Sequence, residues 1–218
     1  MAKLTNLELY KYAQVKWDKS NSPHETPPDF KRRYEEARLE WMKLKFKDFE
    51  VTESVRSDLW PFIREKDFGS TKIVRFKDVA PDRLLYKTAV HGDYTFACNG
   101  KQTTYTLPIV PRTIDNMNAI GQDPWNQPDD TEPMYVEGND GSGAYLEVHS
   151  TTVPQNLTVH YLKAPEPFGL LTDRNGFTEE EETQQYEIID IAVKKYELSI
   201  ENYGRFQGMA QEIQTSAI

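Results

Sequence analysis

The stretch 178–203 constrains this chain most, because Tyr186, Ile189, Val193, Tyr196, Ile200 and Tyr203 recur at alternating spacings of three and four. That period puts them on one stripe of a 3.6-residue helix. Thr178 stands where a helix cap is wanted, and Glu181, three residues on, completes a capping box. Glu179, Glu180, Glu181 and Glu182 place negative charge where a helix N-terminus is partially positive. Gly204 adopts a left-handed C-terminal conformation at least cost, so the helix is expected to stop within a residue or two of Tyr203. Ile188, Ile191 and Leu198 widen the apolar surface beyond one stripe. Either the core or a second subunit has to cover them.

Two further helices are expected near the start. Residues 4–19 carry Leu7, Tyr10, Ala13, Val15 and Trp17 on a loose apolar face, before Ser20, Asn21, Ser22 and Pro23 break the pattern. Thr26, Pro27 and Pro28 then begin a helix running to about Asp48, since proline in a first turn loses no hydrogen bond. Phe30, Tyr34, Ala37, Trp41 and Leu44 form its apolar stripe. Lys31, Arg32, Arg33, Arg38, Lys43, Lys45 and Lys47, set against Glu35, Glu36 and Glu40, give the segment a net charge of +4. The two long helices therefore carry opposite charge. The basic band is either a solvated face or a surface meeting the acidic helix start of a neighbouring copy or nucleic-acid phosphate.

The middle of the chain reads as strands. Residues 51–68 resemble a buried connection; 72–76 are rich in β-branched residues, and Ala80-Pro81-Asp82 turns into a run at 84–96. Asn99-Gly100 is a strong hairpin signal, and pairing about it sets Tyr94 opposite Tyr105 and Phe96 opposite Thr103. Residues 122–133 form a loop at the long end of the usual range, which makes Trp125 a candidate contact residue. A second hairpin turns at Asn139-Asp140-Gly141. A third strand at 157–163 is expected to pair with 144–150, Val159 facing Val148 and Tyr161 facing Leu146; His160 would then face Glu147. Asp173-Arg174-Asn175-Gly176 reads as a helix-capping loop. The order implies an α+β fold: a helical part at 1–68, a β-rich antiparallel insert at 69–168, and a helical part at 169–218 packing with the first.

Composition narrows the function classes. The chain has 218 residues, 38% hydrophobic and 12% aromatic, with a net charge of -9, and a mean hydropathy of -0.73. Abundant Tyr and Trp suit half-wet contact surfaces. The acidity argues against general nucleic-acid binding. With one cysteine, Cys98, no intramolecular disulfide forms, and four histidines without cysteine partners make a structural zinc site an unfavoured reading. Residues 1–9 show no basic segment followed by an apolar run, and no stretch approaches the roughly 20 apolar residues of a membrane span, so a soluble, cytosol-made protein is expected. No glycine-rich phosphate cradle and no His-Glu-x-x-His occurs. Ser142 sits at a hairpin tip without the context of a nucleophile elbow. No catalytic, cofactor-binding or metal-binding residue is assigned, and assembly is the favoured class.

The segment Tyr186-Glu-Ile-Ile-Asp-Ile-Ala-Val-Lys-Lys-Tyr196, followed by Ile200 and Arg205-Phe206-Gln207, resembles the C-terminal helix of head-to-tail connector proteins of short-tailed, crAss-like bacteriophages. Lys72-Ile-Val-Arg-Phe-Lys-Asp-Val-Ala-Pro-Asp-Arg83 and Leu157-Thr-Val-His-Tyr-Leu-Lys-Ala-Pro165 are similar to segments of such virion proteins. The resemblance implies a non-enzymatic ring protein, a dodecamer docked beneath the portal protein, holding tail or further ring proteins while packaged DNA passes through. It further implies synthesis in the host bacterial cytoplasm and a place at the virion's head-tail junction, with no membrane and no cofactor. Head-to-tail ring contacts need two different complementary faces. Arg32, Arg33, Lys43, Lys45 and Lys47 would supply one, Glu179, Glu180, Glu181 and Glu182 the other, and Trp125 a further contact. The alternative is a β-sandwich module binding glycan or peptide in a groove lined by Trp125, Tyr135 and Tyr145, with the helices as a multimerising stalk. A third class is a hydrolase using dispersed carboxylates.

Overall fold

A computed structural model describes residues 3–19, 25–49, 53–79, 82–98, 100–120, 123 and 127–215, with side chains at all of these except 18, 19, 54, 98 and 201–215. The helix break at 20–23, the 80–81 turn, Asn99, Pro124 and Trp125, and the side chains of Cys98 and Tyr203, lie outside the described residues. In chain order the elements begin with α1 (Asn6–Lys19), α2 (Pro27–Lys47), α3 (Glu53–Leu59), β1 (Ile63–Asp67) and β2 (Ile73–Arg75). They continue with β3 (Leu84–Cys98), β4 (Lys101–Pro108), β5 (Val110–Arg112) and α4 (Ile114–Ile120). β6 (Met134–Asp140), β7 (Gly143–His149), β8 (Leu157–Lys163) and α5 (Glu182–Thr215) complete the α+β chain. It divides into a helical unit, Met1–Pro61 with Pro165–Ile218, and a β-rich unit, Phe62–Ala164.

In the helical unit α2 starts where its prolines put it, with Thr26 extended at the cap and Pro in the first turn. Phe30, Tyr34, Ala37, Trp41 and Met42 are buried along it, whereas Leu44, assigned to the same stripe, is 48% exposed. α1 buries Leu9, Ala13 and Trp17, so its stripe follows strict fours and leaves Val15 outside. Phe168 completes an aromatic cluster, its ring 4.5 Å from Tyr34 and 6.0 Å from Phe30. The 173–176 loop caps α1: Asn6 and Leu7 N–H groups donate to the carbonyls of Gly176 and Arg174.

α5 departs from expectation at both ends. Phe177 bridges to Thr5, and the helix begins at Glu182 rather than at Thr178. The capping device therefore moves one step: Gln184 Oε1 accepts the Glu181 N–H at 3.0 Å, the half of a capping box that reaches back from the first turn. The Thr178 hydroxyl instead accepts Gln185 Nε2 at 2.9 Å. The helix runs through Gly204 to Thr215. Glycine inside a helix costs only about 1 kcal/mol relative to alanine, so Gly204 alone does not oblige a stop. Its buried stripe is Gln185, Ile188, Ile189, Ala192 and Val193, rotated from the expected one, with Tyr186, Tyr196 and Ile200 half-buried.

The β-rich unit begins at Phe62, not residue 69, because β1, read as a buried connection, pairs antiparallel along β8. One sheet has the order β1-β8-β3-β4 and the other β2-β7-β6-β5, antiparallel except for the β5–β6 pair. β8 does not pair with β7; it lies between β1 and β3, so His160 faces Glu65 and Ala89 rather than Glu147. The apolar residues still meet. Val74, Tyr135, Leu146 and Val148 of one sheet and Val90, Leu157 and Val159 of the other form one core with Ile109. Val159 and Val148, expected to pair across a ladder, thus pack across a sandwich, which the same alternation permits, whereas Tyr161 stays outside this core and donates its hydroxyl to Asp82 at 3.0 Å. The hairpin register is as expected, Tyr94 opposite Tyr105 and Phe96 opposite Thr103. The ring contact differs. Tyr94 folds back over Gly92, where an added Cβ would come within 2.8 Å of its Cε2, leaving Tyr105 to meet Phe96 at 6.0 Å. The second hairpin turns at Gly141-Ser142, between paired Asp140 and Gly143.

Candidate assembly surface

The opposite charges of α2 and α5 were the sequence basis for an assembly surface, and in the helical unit much of that charge is paired within one chain. Arg38 is the centre. It stands four residues after Tyr34 and three before Trp41, hence on the buried stripe. Its Nε donates to Glu180 Oε1 at 2.6 Å, its Nη1 to the Glu166 carbonyl, and its Nη2 to Glu179 Oε2 at 3.5 Å. Arg38 and Glu180 are 2% and 1% exposed. Glu179 also accepts the Glu166 N–H at 2.8 Å. Burial beside Glu180 pushes the Tyr34 phenol well above its usual range.

A second group ties α2 to α3 and α5. Lys45 Nζ lies 2.7 Å from Asp58 and 3.1 Å from Glu187, whose carboxylate also accepts Trp41 Nε1 at 2.7 Å. Burial pulls the Lys45 ammonium down, but its hydrogen bonds to Asp58 and Glu187 together outweigh that and hold it above its ordinary value. Lys195 pairs with Glu40 at 2.5 Å, and Lys16 with Asp190. Arg33 donates to buried Glu25 at 2.9 Å and lies over the Tyr196 ring at 5.1 Å. Burial raises the Glu25 carboxyl, and Arg33 opposes the shift.

The candidate residues therefore separate. Arg33, Lys45, Glu179 and Glu180 hold the unit together, and Glu182 accepts the Tyr186 hydroxyl at 3.1 Å. Glu181 is exposed and 3.2 Å from Lys3. Arg32, Lys43 and Lys47 are exposed and make no ion pair among the described residues. Trp125 lies outside the described residues. Arg38 shares with Arg33 and Lys45 a helical spacing that brings it beside the apolar stripe; nothing in the sequence marked Arg38 and Glu180 as the pair that is fully buried.

The sandwich has its own charged site. Lys87 Nζ sits 4.1 Å from the centre of the Tyr135 ring and contacts the Glu137 carboxylate. The three line a cavity of about 540 Å³ with Arg112, Ile114 and Asn116. Burial pushes the Lys87 ammonium down to about 8. Tyr135 faces the core and Tyr145, opposite Gly138 on the other phase of the strand pair, faces away. The two cannot line one groove. On the outer face of the β8 sheet the His91 and His160 rings meet edge-on at 5.0 Å, with Glu65 3.8 Å from His160. Among the described residues no cluster of His, Cys, Asp or Glu could hold a metal ion, and no helix is long and apolar enough to cross a membrane.

No protein-family model matches this chain, and no curated protein sequence matches it.

Proposed function

We propose that the chain is a non-enzymatic structural protein of a virion, a head-to-tail connector that forms a ring between portal and tail with DNA passing through its lumen. The observation that carries this reading is the sorting of charge on α2. Arg38 and Lys45 are consumed inside the subunit, whereas Arg32, Lys43 and Lys47 remain exposed as a net cationic strip, interrupted by Glu36, on a chain of net charge -9. A strip of that sign attracts an acidic surface of the next copy, such as the one carrying Glu181, and gives the two unlike faces a ring requires. The acidic remainder gives the lumen a wall that repels DNA and lets it slide.

The test is negative-stain imaging with light scattering of the chain alone and mixed with a cognate portal, for the wild type and for Arg32, Lys43 and Lys47 all changed to Glu. Rings or a stoichiometric layer on the portal are expected for the wild type and not for the variant, with both equally folded. Lys45 is kept because reversing it would damage the subunit itself. The two-sheet architecture favours a second reading, a β-sandwich module that binds glycan or peptide with the helices as a multimerising stalk. A chain that ignores the portal and is captured by a glycan or peptide array would decide for it.

A further inference from the structure

Each sheet has two edges, and three of the four are blunted. β1 holds four charged residues in five, Arg64, Glu65, Lys66 and Asp67. β2 and β5 are three residues long, and β5 contains Pro111. Short, charged and proline-bearing edges are the usual protections against pairing with another strand. β4 is protected only at its two ends, by Lys101 and Pro108: it is eight residues long, exposed along nearly its whole length, and the six residues between carry neither charge nor proline.

The β3–β4 ribbon also outruns its support. β3 pairs with β8 only as far as Gly92, while its pairing with β4 continues to Cys98. A two-stranded ribbon is marginal in water and gains from a third strand. Its hydrogen-bonding sense is fixed at the base, where Ile109 N–H donates to the Val90 carbonyl. Alternation then turns the N–H groups of Thr103, Tyr105 and Leu107 toward β3 and those of Gln102, Thr104 and Thr106 outward. Pro108, which has no N–H, falls on an outward position.

We infer that β4 is a docking edge for the β4 of a second copy, paired antiparallel about a two-fold axis at Thr104. Charge selects the occupant. On an acidic chain two copies repel over most of their surface, but between Tyr94 and Thr106 the ribbon's one charge is Lys101. With Thr104 facing its own equivalent, Gln102 lies opposite Thr106, Thr103 opposite Tyr105, and Lys101 opposite Leu107, so no like charges meet. The blunted edges of the second copy leave β4 as the strand it has to offer. The pair joins two sheets into one of eight strands. This inference is independent of the connector reading, which concerns cations of the helical unit, and the two fail separately.

Light scattering of the full chain over a concentration series tests it. The mass is expected to climb from one chain toward two as concentration rises. Thr104→Pro should stay at one chain throughout, with the Tm of Thr104→Val, which loses the same hydroxyl bond to Thr95 but keeps the outward N–H and should still double its mass; the N–H that proline removes does not serve β3. Amide exchange provides a second reading that needs no variant. The Gln102, Thr104 and Thr106 amides should slow as concentration rises, while Thr103 and Tyr105 are slow at every concentration. A wild type that stays single at every concentration, outward amides indifferent to concentration, or Thr104→Pro that still doubles its mass overturns the proposal; the first two results would fit an edge kept for an extended segment of another protein.

Discussion

Arg38 in the helical unit and Lys87 in the sandwich are both cations withdrawn from water, and their surroundings answer them differently. Arg38 is enclosed, and its planar guanidinium is met by two carboxylates and a carbonyl. Lys87 keeps 14% of its side chain exposed at a cavity wall, with one carboxylate and one aromatic face for company. A guanidinium is delocalised, weakly hydrated and always charged, so it can be fixed in a closed core; an ammonium is compact, strongly hydrated and able to lose its proton. Charge therefore locks the helical unit from inside. In the sandwich, apolar faces make the core and charge marks its margin.

The strongest way to break this contrast is Glu180→Ala. It leaves Arg38 buried with its shortest carboxylate contact gone, and removing one partner of such a pair costs about 3–5 kcal/mol. Urea unfolding followed by the fluorescence of buried Trp17 and Trp41 reads the loss. Replacing Arg38 by Met and Glu180 by Leu together should recover much of it. A cost below about 1 kcal/mol for Glu180→Ala would mean that the pair is not what holds the unit. The matching test of the sandwich is steric. Gly92→Ala puts a methyl 2.8 Å from Tyr94 Cε2 and 3.1 Å from Ile109 Cδ1, an overpacking expected to cost about 1–3 kcal/mol on denaturant unfolding. An unchanged midpoint would show that the Tyr94 ring moves freely and that the ribbon base is not close-packed.

The same two regions differ in how far the sequence discloses them. Helix positions were legible because period and proline act locally: Thr26-Pro27-Pro28 placed the start of α2 without reference to the rest of the chain. Hairpins were legible for the same reason, and Asn99-Gly100 set the Tyr94–Tyr105 register. The partner of β8 was not, because a strand's inward face looks the same whether its apolar residues meet a neighbour in the ladder or a facing sheet. The α5 start was displaced by a long-range bridge between Thr5 and Phe177. On the candidate surface, helical phase separates Lys45, four residues after Trp41, from Lys43 and Lys47 on the opposite face, but its partners Asp58 and Glu187 emerge only from packing.

That distinction gives a smaller effect. Lys45→Met removes contacts with Asp58 and Glu187 and should cost about 1 kcal/mol, whereas Lys43→Met or Lys47→Met should change stability by less than about 0.5 kcal/mol. Thermal unfolding of the three variants side by side measures it. Equal behaviour of all three would erase the division between internal and free cations, and with it the choice of residues for the ring test.

The remaining effect comes from the proton on Lys87, and its sign is fixed by linkage. Burial lowers the folded value to about 8 from an ordinary 10.5, so between those values the unfolded chain holds more protons than the folded one. Stability then rises with pH through that window, and the burial penalty is fully present below it. Wild type compared with Lys87→Met should show this gain from about pH 8 upward, the variant lacking it. The Glu137 carboxylate touches Lys87 and an opposite charge favours an ammonium, so Glu137→Gln should enlarge the gain. Parallel stability curves for wild type and Lys87→Met, together with no change in Glu137→Gln, would show an ammonium as well kept at the margin of the sandwich as the guanidinium is in the helical core.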